Sequence, residues 1–148
     1  MPAMNSSAAT SVLRSDIRVI SLIGFAHGTS HFFHLLLPPL FPWLMPAFGL
    51  SFTQAGAMMT VFFVVSGIGQ ALSGFVVDRI GPRRVLLGFL GIAVAGCAAF
   101  ALATRFPSLW AARALIGVGV SACLMAPLTA YRHRFGEAAQ MRATSWML

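Results

Sequence analysis

The chain has 148 residues, of which 58% are hydrophobic and 9% charged, far below the ~25% charged residues of an average soluble domain. Together with a mean hydropathy of +0.84, this composition excludes an ordinary soluble fold and points to an integral membrane protein. The formal charge of +7 does not indicate a nucleic-acid binder, because the basic residues are all arginine and lie mostly between apolar runs, not on one contiguous basic face.

Residues 1–13 are small and polar with no apolar periodicity and read as disordered, and residues 1–17 are expected to form a cytoplasmic N-terminal tail. No signal peptide is expected, since the apolar run that follows is far longer than a signal core and no small-x-small cleavage site ends it. A spanning helix needs ~20 mostly apolar residues. Four segments meet this, at about 18–46, 52–78, 85–104 and 108–131, within a transmembrane region at 18–142. Pro38, Pro39, Pro42 and Pro46 crowd the far end of the first segment, so that end is expected to be kinked or irregular. Ser51 followed by Gln54 is a capping-box pattern that opens the second segment. Pro127 lies near the end of the fourth. Residues 143–148 read as the start of a truncated fifth helix. Cys97 and Cys123 lie inside apolar runs without Cys-x-x-Cys spacing, and are expected to pack as small hydrophobes.

Arginine placement orients the helices. Arg14 and Arg18 precede the first span, Arg79, Arg83 and Arg84 separate the second from the third, and Arg132, Arg134 and Arg142 follow the fourth. All of these belong to one side, whereas the other side carries only Arg105. Short arginine-rich loops mark the cytoplasmic face, so a cytoplasmic N-terminus is expected. The connecting loops are short, which makes sequence neighbours antiparallel hairpins.

The loop after the second span carries the densest information. It reads Gly74-Phe75-Val76-Val77-Asp78-Arg79-Ile80-Gly81-Pro82-Arg83-Arg84. Gly81 suits a left-handed turn past a helix end, and Pro82 stops continuation. Gly74, one turn before Asp78, allows close helix contact. A positive-inside anchor with a tight turn explains the arginines and Gly81. It does not explain Asp78, an anion at the negative end of a helix dipole. The nearby arginines or the amide-rich start of another helix would offset it. The stretch resembles the signature loop between the second and third helices of the major facilitator superfamily (MFS): Gly, three residues, Asp, a basic residue, one residue, Gly, one residue, two basic residues. Every defined position matches. The resemblance implies that Gly74, Asp78, Arg79, Gly81, Arg83 and Arg84 form a conformational latch. In that family the aspartate contacts a helix of the other half of the transporter and favours the outward-facing state.

Arg113-Ala-Leu-Ile-Gly117-Val-Gly119 resembles a second signature of the superfamily, in the fourth helix of many proton-coupled antiporters. An arginine within a span costs at least a few kcal/mol unless it faces water or a partner. Two readings stand: Arg113 faces a cavity, or it snorkels to the nearby interface, where Trp110 fits an aromatic belt. Gly117 supplies a small surface for close packing.

His27, His31 and His34 recur at i, i+4 and i+7 and therefore share one helix face. Ser66, Gln70 and Ser73 do the same on the second span. Polar side chains at membrane depth turn to the bundle or to a watery path. The histidines are open to three readings: cavity lining or helix–helix hydrogen bonding, proton transfer near neutral pH, and a metal site. Two turns separate His27 from His34 by ~10 Å, so all three cannot converge on one ion.

The expected fold is all-α and polytopic, with four transmembrane helices and the start of a fifth, resembling part of the N-terminal MFS bundle. The resemblance implies the N-terminal part of a secondary active transporter that moves a small molecule, with proton coupling, by alternating access. It would sit in the lipid bilayer of a bacterial inner membrane, and its partner would be a C-terminal half absent from this sequence. Neither a nucleotide-binding loop nor a catalytic constellation is present, and no enzyme activity, cofactor or nucleic-acid partner is expected. Two other readings remain. One is a truncated, non-transporting membrane protein or interaction partner. The other is a dimeric four-helix multidrug exporter, a family that relies on a first-helix carboxylate that this chain lacks.

Overall fold

The structure, a computed structural model, describes residues 6–135. It comprises α1 (Ser6–Leu35), a 3-10 turn (Pro38–Leu40), α2 (Phe41–Phe48), α3 (Phe52–Ile80), α4 (Pro82–Ala101) and α5 (Phe106–Phe135). Among the described residues there is no strand. Four stretches are long and apolar enough to cross a membrane: Ile20–Phe48, Phe52–Ile80, Pro82–Ala101 and Phe106–Cys123. The protein is therefore an all-α integral membrane protein. Arg142 and the expected start of a fifth helix at 143–148 lie outside the described residues, as do residues 1–5.

The helix ends follow from local chemistry. The backbone is already helical at Ser6, where an irregular tail was expected. Extending an existing helix fixes one residue per new hydrogen bond, so propagation is cheap once a long apolar helix has formed. The far end of the first span is broken, as its prolines require. Pro38 and Pro39 lack the N–H groups that would continue the ladder to the carbonyls of His34 and Leu35, so α1 ends at Leu35, although Leu37 itself keeps a helical conformation (φ −73°, ψ −43°). The chain becomes helical again in α2, with Pro42 in its first turn and Pro46 inside it. Gly49 then reverses the chain in the left-handed conformation (φ 61°, ψ 37°), and the Leu50 N–H donates to Met45 O at 2.8 Å.

The capping box forms at the start of α3. Gln54 N–H donates to Ser51 Oγ (3.2 Å), and Ser51 N–H donates to Gln54 Oε1 (2.9 Å). At its other end Gly81 has φ 87° but ψ 149°, so the turn is not left-handed helical. That region is essentially open to glycine alone. Pro82 does not merely end α3 but occupies the first position of α4, where its missing N–H has no helical partner to lose.

The central helix is α5. It packs extensively against α4 and α3 and is crossed by α1, whereas α3 and α4 touch little. Three buried clusters run along it. Leu37, Leu50, Met58 and Leu109 fill the Gly49 end. Phe62, Ile116 and Val120 fill the middle, and Val77, Val85, Ala122 and Ala126 the Gly81 end. In lipid, packing and not exclusion from water holds helices together, so small residues set how closely they approach. A Cβ on Gly119 would collide with the backbone of Ala93 in α4, and one on Gly117 would lie 3.0 Å from Phe62 O in α3.

Candidate functional site: a histidine groove and a buried arginine

On α1 the histidine spacing produces a continuous row. The rings of His27 and His31 meet edge-on at 4.5 Å and 83°, and those of His31 and His34 lie 5.7 Å apart at 40°. Nε2 of His27 and Nε2 of His31 are 3.1 Å apart. Two imidazole nitrogens at that distance need one proton between them, since one must donate and the other accept. Facing the row, α3 contributes Ser66 and Gln70. The Ser66 Oγ lies 3.5 Å from His34 Nε2, and Gln70 Nε2 donates to Ser66 Oγ at 3.5 Å, both at the outer limit of hydrogen-bond range. These residues, with Phe63, Gly67 and Val120, line a groove of about 290 Å³.

Ser73 shares the α3 face but not the groove. It is buried, and its hydroxyl donates to Gln70 O at 2.8 Å. Among the described residues, no three His, Cys, Asp or Glu side chains come together as a metal-binding group.

Arg113 of α5 is 2% exposed, so it is held inside the bundle and does not snorkel. Its Nη2 donates to Phe33 O at 2.9 Å. Phe33 belongs to the last turn of α1, whose carbonyls lack donors one turn further on and carry the negative end of the helix dipole. The end of α1 therefore supplies the acceptor that the arginine uses. The guanidinium carbon also stands 3.8 Å from the centroid of the Phe62 ring, in cation–π range. Phe62 is fully buried, and the same ring meets His34 edge-on at 4.8 Å and 86°. One aromatic side chain thus touches both the arginine and the histidine row. At Gly117, one turn beyond Arg113, an added Cβ would lie 3.0 Å from Phe62 O and 3.5 Å from Ser66 N.

The structure brings His27, His31, His34 and Gln70 to one groove, with Arg113 and Gly117 just behind it. It leaves the signature loop apart. Asp78, Arg79, Arg83 and Arg84 are all exposed, and among the described residues no ion pair joins Asp78 to these arginines. A Cβ at Gly74 would meet nothing within 4 Å, so the helix contact expected there is absent among the described residues. Phe33 and Phe62 were not singled out from the sequence. Pro38 and Pro39 mark where α1 ends, since they lack the N–H groups that would bond the carbonyls of His34 and Leu35, but they do not single out Phe33 O. Phe62 gives no signal in a segment already rich in phenylalanine.

A bundle of four apolar spans with a polar groove and a buried, partnered arginine defines an integral membrane protein whose polar chemistry lies at membrane depth. The sequence model of the Major Facilitator Superfamily matches residues 20–148, and the chain belongs to that family. It is similar to the fosmidomycin resistance protein of Escherichia coli (strain K12), 26% identical over 121 residues that make up 81% of this chain and 30% of that protein. It is similar to the chloramphenicol resistance protein of Pseudomonas aeruginosa, 30% identical over 86% of this chain and 28% of that protein. It is also similar to the lysosomal dipeptide transporter MFSD1 of Danio rerio, 33% identical over 62% of this chain and 21% of that protein. The chain thus spans less than a third of the length of each of these relatives. No solved structure matches it.

Proposed function

We propose that this chain is the N-terminal part of a proton-coupled secondary transporter for a small molecule, and that it works by alternating access with a C-terminal half. In this reading the N-terminus is cytoplasmic, which the arginine asymmetry supports, and the membrane is a bacterial inner membrane. The observation that carries the proposal is the histidine groove. An imidazole pair 3.1 Å apart at membrane depth is chemistry that holds or passes a single proton, and His34, Ser66 and Gln70 extend it along the same groove. The arginine network behind Phe62 would sense the state of that groove through the shared ring. The latch role falls to Asp78 with Arg79, Gly81, Arg83 and Arg84, and Gly74 would pack against the other half.

Fosmidomycin and chloramphenicol, which appear in the relatives' names, are the first substrates to test. The full-length transporter containing this segment should be reconstituted in vesicles with an imposed proton gradient. Drug flux should follow the gradient, and His31→Gln should uncouple proton movement from drug movement. Flux that persists unchanged after the gradient is collapsed would overturn the coupling.

A further inference from the structure

A second cavity lies on the other side of Arg113. It has a volume of about 190 Å³ and is bounded by Phe33, Leu36, Leu37 and Leu40 from the end of α1 and its linker, by Cys97 and Phe100 of α4, and by Arg113 and Ile116 of α5. It shares no wall residue with the histidine groove. Its walls are apolar except for one feature. Arg113 is 2% exposed, and its buried Nε has no hydrogen-bond partner among the described residues. A guanidinium carries five N–H donors, and a buried donor left unpaired costs ~1–3 kcal/mol. The compensation at hand is a neutral carbonyl, Phe33 O, and an aromatic face, Phe62. Neither carries a formal charge, and among the described residues no carboxylate lines the cavity. An apolar pocket with an unneutralised cation in its wall is complementary to a small amphiphilic anion.

We propose that this cavity binds a monocarboxylate with an apolar body about the size of one aromatic ring. The carboxylate matches the planar donor fork of arginine and supplies the missing acceptor for Nε. The size follows from the volume, since an apolar cavity of ~150 Å³ takes up benzene. A hydrophilic dianion would find one cation and no further side-chain donor on these walls. A neutral hydrocarbon would leave the donor and the charge as they are. Because the walls come from α1, its linker, α4 and α5, the occupant would tie the broken end of the first span to the central helix.

Benzoate is the test ligand, and Cys97 in the cavity wall is the reporter. The protein in phosphatidylcholine nanodiscs is treated with N-ethylmaleimide, an uncharged reagent, and alkylation of Cys97 and Cys123 is followed separately by peptide mass spectrometry. At a benzoate concentration about ten times its Kd, alkylation of Cys97 should slow about ten-fold by mass action, while Cys123, which does not line the cavity, is unaffected. Benzamide, of the same shape but neutral, should protect far less. Arg113→Gln should abolish protection, and Arg105→Gln, which removes an exposed arginine, should retain it. Equal protection by benzamide, no protection by benzoate in the wild-type chain, or protection by oleate alone would each overturn the proposal. None of these outcomes depends on a variant folding, nor on whether the full transporter couples to protons.

Discussion

At the residue scale, the bond between Arg113 and the end of α1 shows how a costly residue is made tolerable. A buried cation pays several kcal/mol of desolvation. Here the return comes from Phe33 O at 2.9 Å and the Phe62 ring at 3.8 Å. If the ring contact contributes, Phe62→Leu and Arg113→Met should not be additive. A double-mutant cycle, followed by SDS-induced unfolding in mixed micelles, should give a coupling energy of ~0.5–2 kcal/mol. Additive losses would mean that the ring merely fills space. The sequence showed that Arg113 needs a partner and that the histidines share a face, because both follow from the cost of polarity in lipid and from helical spacing. It did not show that the partner is a backbone carbonyl 80 residues earlier. That depends on where α1 stops and how it crosses α5, which no local pattern encodes.

At the scale of elements, the spans and their punctuation were legible and their packing was not. Length and hydropathy locate four spans, and Ser51 with Gln54 locates the start of α3, since both signals are local. The central place of α5 is different. A soluble helix shows its buried face by alternating with a polar one, whereas here lipid-facing and bundle-facing residues are alike apolar, as with exposed Leu72, Phe75 and Val94 beside buried Val77 and Val85. Where α4 meets α5 a small residue allows the close approach, and this supplies a test. Gly119 lies against the Ala93 backbone, whereas a Cβ on Gly91 would meet nothing within 4 Å. Gly119→Val should therefore force α4 and α5 apart and destabilise the protein by ~1–3 kcal/mol. Gly91→Ala should be neutral or stabilise by up to ~1 kcal/mol, the usual difference in a helix interior. Thermal unfolding in detergent measures both, and similar effects at the two sites would refute the packing seen between α4 and α5.

At the scale of the whole molecule, the signature loop raises the question that the bundle alone leaves unanswered. Asp78 stands in the last turn of α3, where the helix dipole disfavours an anion by ~0.3–1 kcal/mol. It is exposed, and among the described residues no ion pair compensates it. A residue that weakens its own helix and gains nothing locally makes sense if its partner belongs to another part of the protein, which is the role we propose for the latch. The two effects separate in experiment. In this chain, Asp78→Asn should leave thermal stability unchanged or raise it slightly, because only the unfavourable dipole interaction is removed. In the full-length transporter the same substitution should cut transport strongly, since a contact that favours one face of the alternating-access cycle shifts the populations tenfold for every ~1.4 kcal/mol lost. Arg79→Lys should do less harm, because the charge is kept although the planar fork is lost. A destabilised chain would mean that Asp78 has a local partner after all. Wild-type transport by the full-length Asp78→Asn protein would remove the latch and leave the loop as a positive-inside anchor, with Gly81 as its turn.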